Sequence, residues 1–274
     1  MADAAPEYTR SYAMHTENNK ALLRHLFESI NKGDWMELDD HPGFWQTRQV
    51  VPPTRASFAD WRTAYMQQIA EGDSVFSYLA LQFTHAGAFG GVEPEGRRVT
   101  LAGFSLDRVD DGIVVEHNST TTWPDVLRQI GAPSFQTWPP YAARPLAMWS
   151  RAYGTPTETK AIVARLLRSI SRGDETAALR HDGIGVLVAD FAAIRAAFPD
   201  LAYTLVHQIS QGDLVGTRAT LHGTHSGALY GLPPTGKTIT WDYFSLTRVV
   251  EGAVVEHIGS ADWTAALVHL GMFP

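Results

Sequence analysis

The chain contains one long internal repeat, which constrains its fold more than any other feature. Residues 20–131 align without a gap onto residues 160–271, so that His117 matches His257 at an offset of 140 (257 − 117 = 140). Roughly a third of the aligned pairs are identical, and a period of this length indicates a duplicated domain rather than a solenoid unit. The sequence therefore predicts two similarly folded domains in tandem, each long enough to bury its own core.

The ends of the repeat divide the chain into four units. The first residues are polar, and we expect them to be loosely held. The connector between the copies carries Trp138-Pro139-Pro140-Tyr141, which is too aromatic for a free linker, so we expect it to pack across one or both domains. The predicted units are an N-terminal arm of residues 1–17, a first domain of residues 18–134, a connector of residues 135–156 and a second domain of residues 157–274.

Each copy predicts a helix, a variable segment, antiparallel strands and a short closing helix. Apolar residues recur at helical spacing in both first helices, and Thr157 or Thr159 is the expected N-cap of the second copy's helix. Prolines in residues 39–61 predict a loop with a short extended piece, whereas residues 188–197 predict a short helix. The other predicted elements are helices at residues 18–32, 159–172, 123–130 and 263–270, and strands at residues 62–70, 75–84, 202–210, 215–224, 238–250 and 253–257.

Composition excludes several classes of function. A net charge of -7 and a pI near 5.8 argue against a nucleic-acid partner, which needs a basic face. The chain has no cysteine, so disulfides, thiolate nucleophiles and cysteine metal sites are excluded. No HExxH sequence, Asp-rich loop or histidine pair at i, i+4 spacing is present, so no metal site is predicted. No apolar run reaches membrane-spanning length and no secretory signal is present, which predicts a soluble cytoplasmic protein with no membrane partner.

The densest cluster of polar and aromatic side chains on a strand pattern spans residues 223–257 and recurs in residues 83–117. Its second copy contains the sequences THSG, GLPPTG and EH. Together with the order of elements, this pattern resembles the SnoaL-like polyketide cyclase family, over nearly the whole chain and once per copy. The resemblance implies an α+β fold of the nuclear-transport-factor-2-like class, in which helices close a cone of curved antiparallel sheet. Because members of this fold pair, it also implies an intramolecular pseudo-dimer, with further oligomerisation left open.

The resemblance implies a pocket in each cone and cofactor-independent acid–base chemistry on a hydrophobic, aromatic or polyketide-like small molecule. In the cyclases an aspartate two residues after the EH histidine acts as the acid–base group in intramolecular aldol closure, helped by a histidine on the preceding strand. Those positions hold Ser119 and Ser105 in the first copy, and Gly259 and Ser245 in the second. The function therefore stays open between a cyclase, a lyase or isomerase of an aromatic compound, and a non-catalytic small-molecule-binding protein.

Two histidines and one aspartate are the predicted catalytic residues. An imidazole titrates near neutrality, so His117 and His257 suit acid–base work, although each also fits a hydrogen-bonded core histidine. Asp262 precedes Trp263 at a helix start. Its carboxylate is either an N-cap or a replacement for the missing aspartate.

Strand alternation and clustered rings predict the walls of the pocket. If His117 points into its cone, residues of matching parity on the neighbouring strand point inward as well. Large rings line pockets for flat apolar ligands, but more often they fill cores. The first copy is richer in rings, so we expect it to hold the working pocket and the second copy to support it. The predicted substrate-binding residues are Trp45, Arg48, Tyr65, Tyr78, Ser105, Asn118, Ser119, Trp123, Trp241 and Tyr243.

Overall fold

Two antiparallel sheets of four strands form the framework of the protein. The computed structural model describes residues 7–146, 154–174, 176, 178, 181 and 183–273. Each sheet keeps its strands in chain order and stays open, because its first and last strands do not pair. The predicted tandem of α+β domains is thereby confirmed. The strands are β1 Phe58–Glu71, β2 Ser74–His85, β3 Arg98–Asp110 and β4 Ile113–Thr121, followed by β5 Ala202–Gln211, β6 Leu214–Thr224, β7 Thr238–Val250 and β8 Ala253–Ala261.

Six α-helices accompany the sheets within the described residues. Three of them, α1, α4 and α5, begin earlier than the sequence predicted, and α5 begins at Gly185 rather than at residue 188. Helix α1 begins at Glu7 rather than at residue 18, and buried Thr16 and Asn19 tie its first half to the domain. Helix α4 is capped by Thr155, which forms a capping box with Glu158 and places a proline at the first helical position. The helices are α1 Glu7–Lys32, α2 Trp45–Thr54, α3 Trp123–Ile130, α4 Pro156–Ser171, α5 Gly185–Ala197 and α6 Trp263–Leu270.

The expectation of a loop with an extended piece in residues 39–61 is wrong, because α2 lies there. Its two prolines, Pro52 and Pro53, fall in the final turn, and the helix ends at Thr54 directly after them. The segment before the helix has the same anchor in both copies. His41 Nδ1 accepts from the Val114 amide at 3.0 Å, and His181 Nδ1 accepts from the Val254 amide at 3.0 Å. The two variable segments therefore share this histidine anchor despite their different sequences.

The two sheets pack against each other through the faces turned away from their helices. Phe76 and Tyr78 of β2 meet Phe244 and Leu246 of β7 in one buried apolar cluster. A pseudo-twofold pair of polar contacts borders this cluster: Lys160 binds Glu71 at 2.7 Å, and Lys20 donates to Gln211, 140 residues after Glu71, at 3.3 Å (71 + 140 = 211). The pairing is the fused equivalent of an isologous dimer interface.

One contact in this interface is asymmetric. Phe76 is completely buried, and the matching position in the second copy is Gly216. A Cβ atom at position 216 would lie 2.6 Å from Cγ of the Phe76 ring, closer than carbon atoms can approach. The glycine therefore leaves room for the ring. Phe76 and Gly216, which occupy the same repeat position, are complementary in size across this contact.

Replacing Gly216 by alanine tests this coupling. We expect Gly216→Ala to lower the free energy of unfolding by about 1–3 kcal/mol, because the new methyl group overpacks the interface. In a Phe76→Ala background, itself destabilised by about 3–5 kcal/mol, the same change is expected to cost almost nothing. Urea unfolding of the four proteins measures the cycle. Gly185→Ala, whose Cβ would meet no atom within 4 Å, is the matched control. Equal costs in the two backgrounds would contradict the coupling.

Candidate active site

A cavity of about 240 Å³ lies between α5 and the concave face of the second domain's sheet, and Thr122, Pro124 and Asp125 of the first domain also line it. This volume is slightly below the range of about 300–1,000 Å³ that is usual for ligand sites. Leu187 and Ile194 of α5 form one wall, and Tyr230 and Trp263 form another. Three polar side chains stand out among the apolar ones, namely Asp190, Tyr243 and His257.

The connector closes one side of this cavity. Trp138 is buried and packs edge-on against Tyr230 at 4.8 Å and Trp263 at 5.6 Å between ring centroids. Further along, Arg144 lines the cavity and binds Glu256 at 2.5 Å. Tyr141 also packs edge-on against Phe104 of the first domain at 6.4 Å between ring centroids. The described part of the connector therefore packs across both domains, which is one of the two arrangements that its aromatic content predicted.

Asp190 is the acidic side chain that the second domain contributes to the cavity. It lies on the inward stripe of α5, three residues after Leu187 and four before Ile194. It makes no hydrogen bond or ion pair with any other described residue. Burial raises the pKa of Asp190 from its ordinary value of 3.8 to about 6. A carboxyl group in this state is ionised at neutral pH and yet has a strong affinity for a proton.

Tyr243, His257 and Thr247 form a hydrogen-bonded chain beside Asp190. The Tyr243 hydroxyl lies 2.9 Å from His257 Nε2, and the Thr247 hydroxyl lies 2.8 Å from His257 Nδ1. Burial lowers the pKa of His257 to about 3, so the ring is neutral at physiological pH. Burial, reinforced by the charge of Asp190, raises the pKa of Tyr243 well above its ordinary value. The phenol therefore keeps its proton and serves as a hydrogen-bond donor.

Gly259 leaves the room that the Tyr243 hydroxyl occupies. A Cβ atom at position 259 would lie 2.5 Å from that oxygen. This is the position where the cyclases carry their acid–base aspartate, as the resemblance implied. In the second domain the phenol of Tyr243 thus fills the space next to position 259, and a carboxylate enters the cavity from α5 instead.

The concave face of the first domain carries core side chains where the second domain has its cavity. Its cone is filled by core side chains, and Phe44 stacks on the His117 ring at 4.4 Å between centroids. His117 Nδ1 binds Asp107 at 2.5 Å, and Ser105 donates to the same carboxylate at 2.6 Å. Phe44 and His117 thus pack against each other within this cone, and the expectation that the first copy holds the working pocket stays a prediction.

Four further residues predicted to bind substrate lie at the surface or edge of the first domain. The Trp45 side chain is 56% exposed on α2, away from the cone. Arg48 binds Asp39 at 2.9 Å across a largely exposed surface. On β4, Asn118 is half-buried and Ser119 is exposed. None of the four lines the cavity of the second domain.

The other predicted residues have structural surroundings. Tyr78 is buried in the interface between the sheets, and Trp123 packs in a ring cluster, tilted against Phe89 at 5.3 Å between ring centroids. Trp241 is buried against Phe198 at 4.7 Å between centroids. Asp262 accepts from the Ala265 amide as the N-cap of α6. The side chain of Tyr65 lies outside the described part of the structure. Of the predicted site residues whose side chains the structure describes, only Tyr243 and His257 line the cavity.

Sequence reasoning missed Asp190, Thr247 and Asp107. Asp190 can be recognised from the repeat. It is a lone acid on an apolar helical stripe, and the aligned residue of the first copy is Val50. Thr247 and Asp107 occupy the same repeat position, two residues after a serine of inward parity. Strand alternation alone therefore pointed to their side of the sheet.

The duplicated fold and its motifs agree with the comparisons to known proteins. The family model described as SnoaL-like polyketide cyclase matches residues 9–130 and 163–270, which is most of the chain. The protein belongs to the SnoaL-like polyketide cyclase family.

Similar proteins come from several bacteria. The chain is 32% identical over 79 residues to the nogalonic acid methyl ester cyclase of Streptomyces nogalater. The aligned region covers 28% of this chain and 59% of that protein. Among solved structures, AclR of Streptomyces galilaeus, described as a candidate hydroxylase, is 27% identical with a TM-score of 0.40, over 44% of this chain and 89% of its own. A candidate SnoaL-like polyketide cyclase from Jannaschia is 21% identical with a TM-score of 0.40, over 46% of this chain and 100% of its own.

The raised pKa of Asp190 predicts how stability depends on pH. The folded protein binds this proton more tightly than the unfolded chain does, so the unfolding free energy falls as pH rises from about 4 to 6. Asp190→Asn removes that loss. We expect the variant to exceed the wild type in unfolding free energy by about 1–3 kcal/mol at pH 7–8, and to show no such advantage below pH 4.

Urea unfolding across this pH range measures the difference between the two proteins. Asp200→Asn is the control with the opposite sign, because hydrogen bonds from Thr224 lower the pKa of the Asp200 carboxyl. That variant is expected to lose stability relative to the wild type as pH rises. A pH-independent gap between wild type and Asp190→Asn would show that the carboxyl titrates normally.

Proposed function

We propose that this protein is a cofactor-independent acid–base enzyme that cyclises a hydrophobic, aromatic or polyketide-like small molecule in the cavity of the second domain. One observation carries the proposal. The Asp190 carboxylate, which has no ion pair among the described residues, shares a largely apolar cavity with the buried Tyr243–His257 pair. A base and a hydrogen-bond donor are thereby placed around one small space.

Asp190 is the proposed general base. It takes a proton from a carbon next to a substrate carbonyl, and its raised pKa makes that transfer easier than for an ordinary aspartate. The negative charge then develops on the carbonyl oxygen, where the Tyr243 hydroxyl donates a hydrogen bond to the enolate. His257 stays neutral and holds the phenol in place. In this scheme the first domain supports the site and takes no part in the chemistry.

Ring closure follows from the same groups. The enolate carbon attacks a second carbonyl carbon of the same molecule, so that one carbon–carbon bond forms and that carbonyl becomes an alkoxide. The alkoxide takes back the proton that Asp190 removed, which leaves the enzyme unchanged. Holding both ends of the substrate in one cavity makes this step intramolecular, which lowers its entropic cost.

Family membership supports cyclisation as the outcome of the first proton transfer. An isomerase would return the same proton to another carbon of the substrate, and a lyase would expel a leaving group from the enolate. A binding protein would leave the ligand unaltered. The cytoplasmic location and the lack of a nucleic-acid partner stay predictions from the sequence.

Turnover of nogalonic acid methyl ester, which the name of the relative from Streptomyces nogalater specifies, provides the test. We expect Asp190→Asn to lower kcat by about 10²–10⁴-fold, as for loss of a general base. Tyr243→Phe is expected to lower it by about 10²–10³-fold, as for loss of an oxyanion donor. Chromatography with mass spectrometry separates a ring-closed isomer from the open substrate. Asp200→Asn, a surface carboxylate outside the cavity, is the matched control.

The results assign the function as well as the residues. Full activity of Asp190→Asn would refute the proposed base. A product that loses a fragment would identify a lyase, and a shifted double bond without ring closure would identify an isomerase. Binding that changes the fluorescence of Trp138 and Trp263 without any product would indicate a binding protein. If His117→Gln lost its activity while Asp190→Asn kept a normal turnover rate, the active site would lie in the first domain.

A further inference from the structure

The hydroxyl of Thr247 is fully buried and has one hydrogen-bond acceptor among the described residues. Its side-chain oxygen lies 2.8 Å from His257 Nδ1. Among the described residues, that nitrogen is the one hydrogen-bond acceptor within reach of the hydroxyl. The neighbouring hydroxyl on the same face of β7, that of Ser245, is buried and makes no hydrogen bond to another described residue. A buried hydroxyl hydrogen is strongly disfavoured without an acceptor, so Thr247 donates to His257 Nδ1.

This donation decides which nitrogen of His257 carries the proton. A neutral imidazole has one N–H donor and one acceptor nitrogen. Because Nδ1 accepts from Thr247, the proton is on Nε2, and Nε2–H donates to the Tyr243 oxygen 2.9 Å away. The phenolic hydrogen of Tyr243 is then not consumed by the histidine. Tyr243 lines the cavity, so this hydrogen is free to be donated to a molecule bound there.

The same histidine in the first domain has the opposite arrangement. Position 107, which corresponds to Thr247, is an aspartate whose carboxylate can only accept a hydrogen bond. His117 Nδ1 lies 2.5 Å from Asp107 and therefore carries a proton. The residue at this one repeat position thus sets the protonated nitrogen of the histidine in each domain.

We propose that Thr247 is a positioning residue that holds His257 in the Nε2–H tautomer, so that the Tyr243 hydroxyl donates its hydrogen to the substrate oxygen. The role rests on the proposed function, because it states how the Tyr243 donor is aimed. The tautomer itself is independent of any substrate. A measurement of the ring nitrogens therefore tests this inference even if the proposed reaction is wrong.

Long-range ¹H–¹⁵N spectra of protein labelled in its histidine rings report the tautomer directly. The chain has 11 histidines, and spectra of the His257→Gln and His117→Gln variants assign the two of interest. We expect the wild type to show a pyrrole-type Nε2 and a pyridine-type Nδ1 for His257, and a protonated Nδ1 for His117. A protonated Nδ1 on His257 would overturn the inference.

Substitutions at position 247 test the cause. Thr247→Ser keeps the donor, so the Nε2–H tautomer is expected to persist. Thr247→Asp transfers the pairing of the first domain, with Ser245 placed as Ser105 is, and is expected to move the proton to Nδ1. If Thr247→Asp does not fold, Thr247→Val serves instead and is expected to shift both ring nitrogens toward values averaged between tautomers. Unchanged His257 signals in the folded variants would refute the role of Thr247.

Turnover separates this inference from the proposed function. Thr247→Val is expected to lower kcat about tenfold with little change in KM, because one net hydrogen bond that aims the donor is lost. Thr217→Val is the matched control, since it removes a buried threonine hydroxyl that binds Gln208 on the same sheet. A large loss in Asp190→Asn with a normal rate in Thr247→Val would leave the enzyme proposal intact and discard the role of Thr247.

Discussion

The face-to-face packing of the two sheets is the contact on which the rest of the structure depends. Each four-stranded sheet is open and carries apolar side chains on both faces. Each domain therefore needs the other domain to cover the face that its own helices leave free. Phe76 against Gly216 shows how closely the two copies have adapted to one another. With that face covered, each sheet turns its concave side to its own helices, where a core or a cavity is formed.

Duplication then allowed the two concave faces to differ without a change of fold. In the first domain Phe44 and the His117–Asp107 pair complete a filled core. In the second domain Tyr243 and Asp190 face a cavity, where the first copy has Gly103 and Val50. The first domain also supplies Asp125 to the cavity wall, held by Arg128 at 2.7 Å. The halves are therefore unequal partners in one site.

The cavity concentrates groups that cost stability. Burial disfavours the charged forms of both Asp190 and His257, which raises the pKa of the first and lowers that of the second. A structural core would avoid a carboxylate that has no partner among the described residues. Its presence beside a tyrosine and an apolar wall is typical of a site where proton affinity matters more than stability. In the proposed arrangement, Thr247 holds the proton of His257 on Nε2, which orients the Tyr243 hydroxyl toward the substrate.

The sequence by itself determined the duplication, the strand order and the closing helices, because a gapless repeat and local periodicity need no tertiary information. It also placed Tyr243 and His257 on one face, since strand alternation relates neighbours. Tertiary structure decided which cone stays open, because volume depends on side chains that meet from distant elements, such as Phe44 on His117. It likewise brought Asp190 from a helix to Tyr243 on a strand, a proximity that no local pattern encodes.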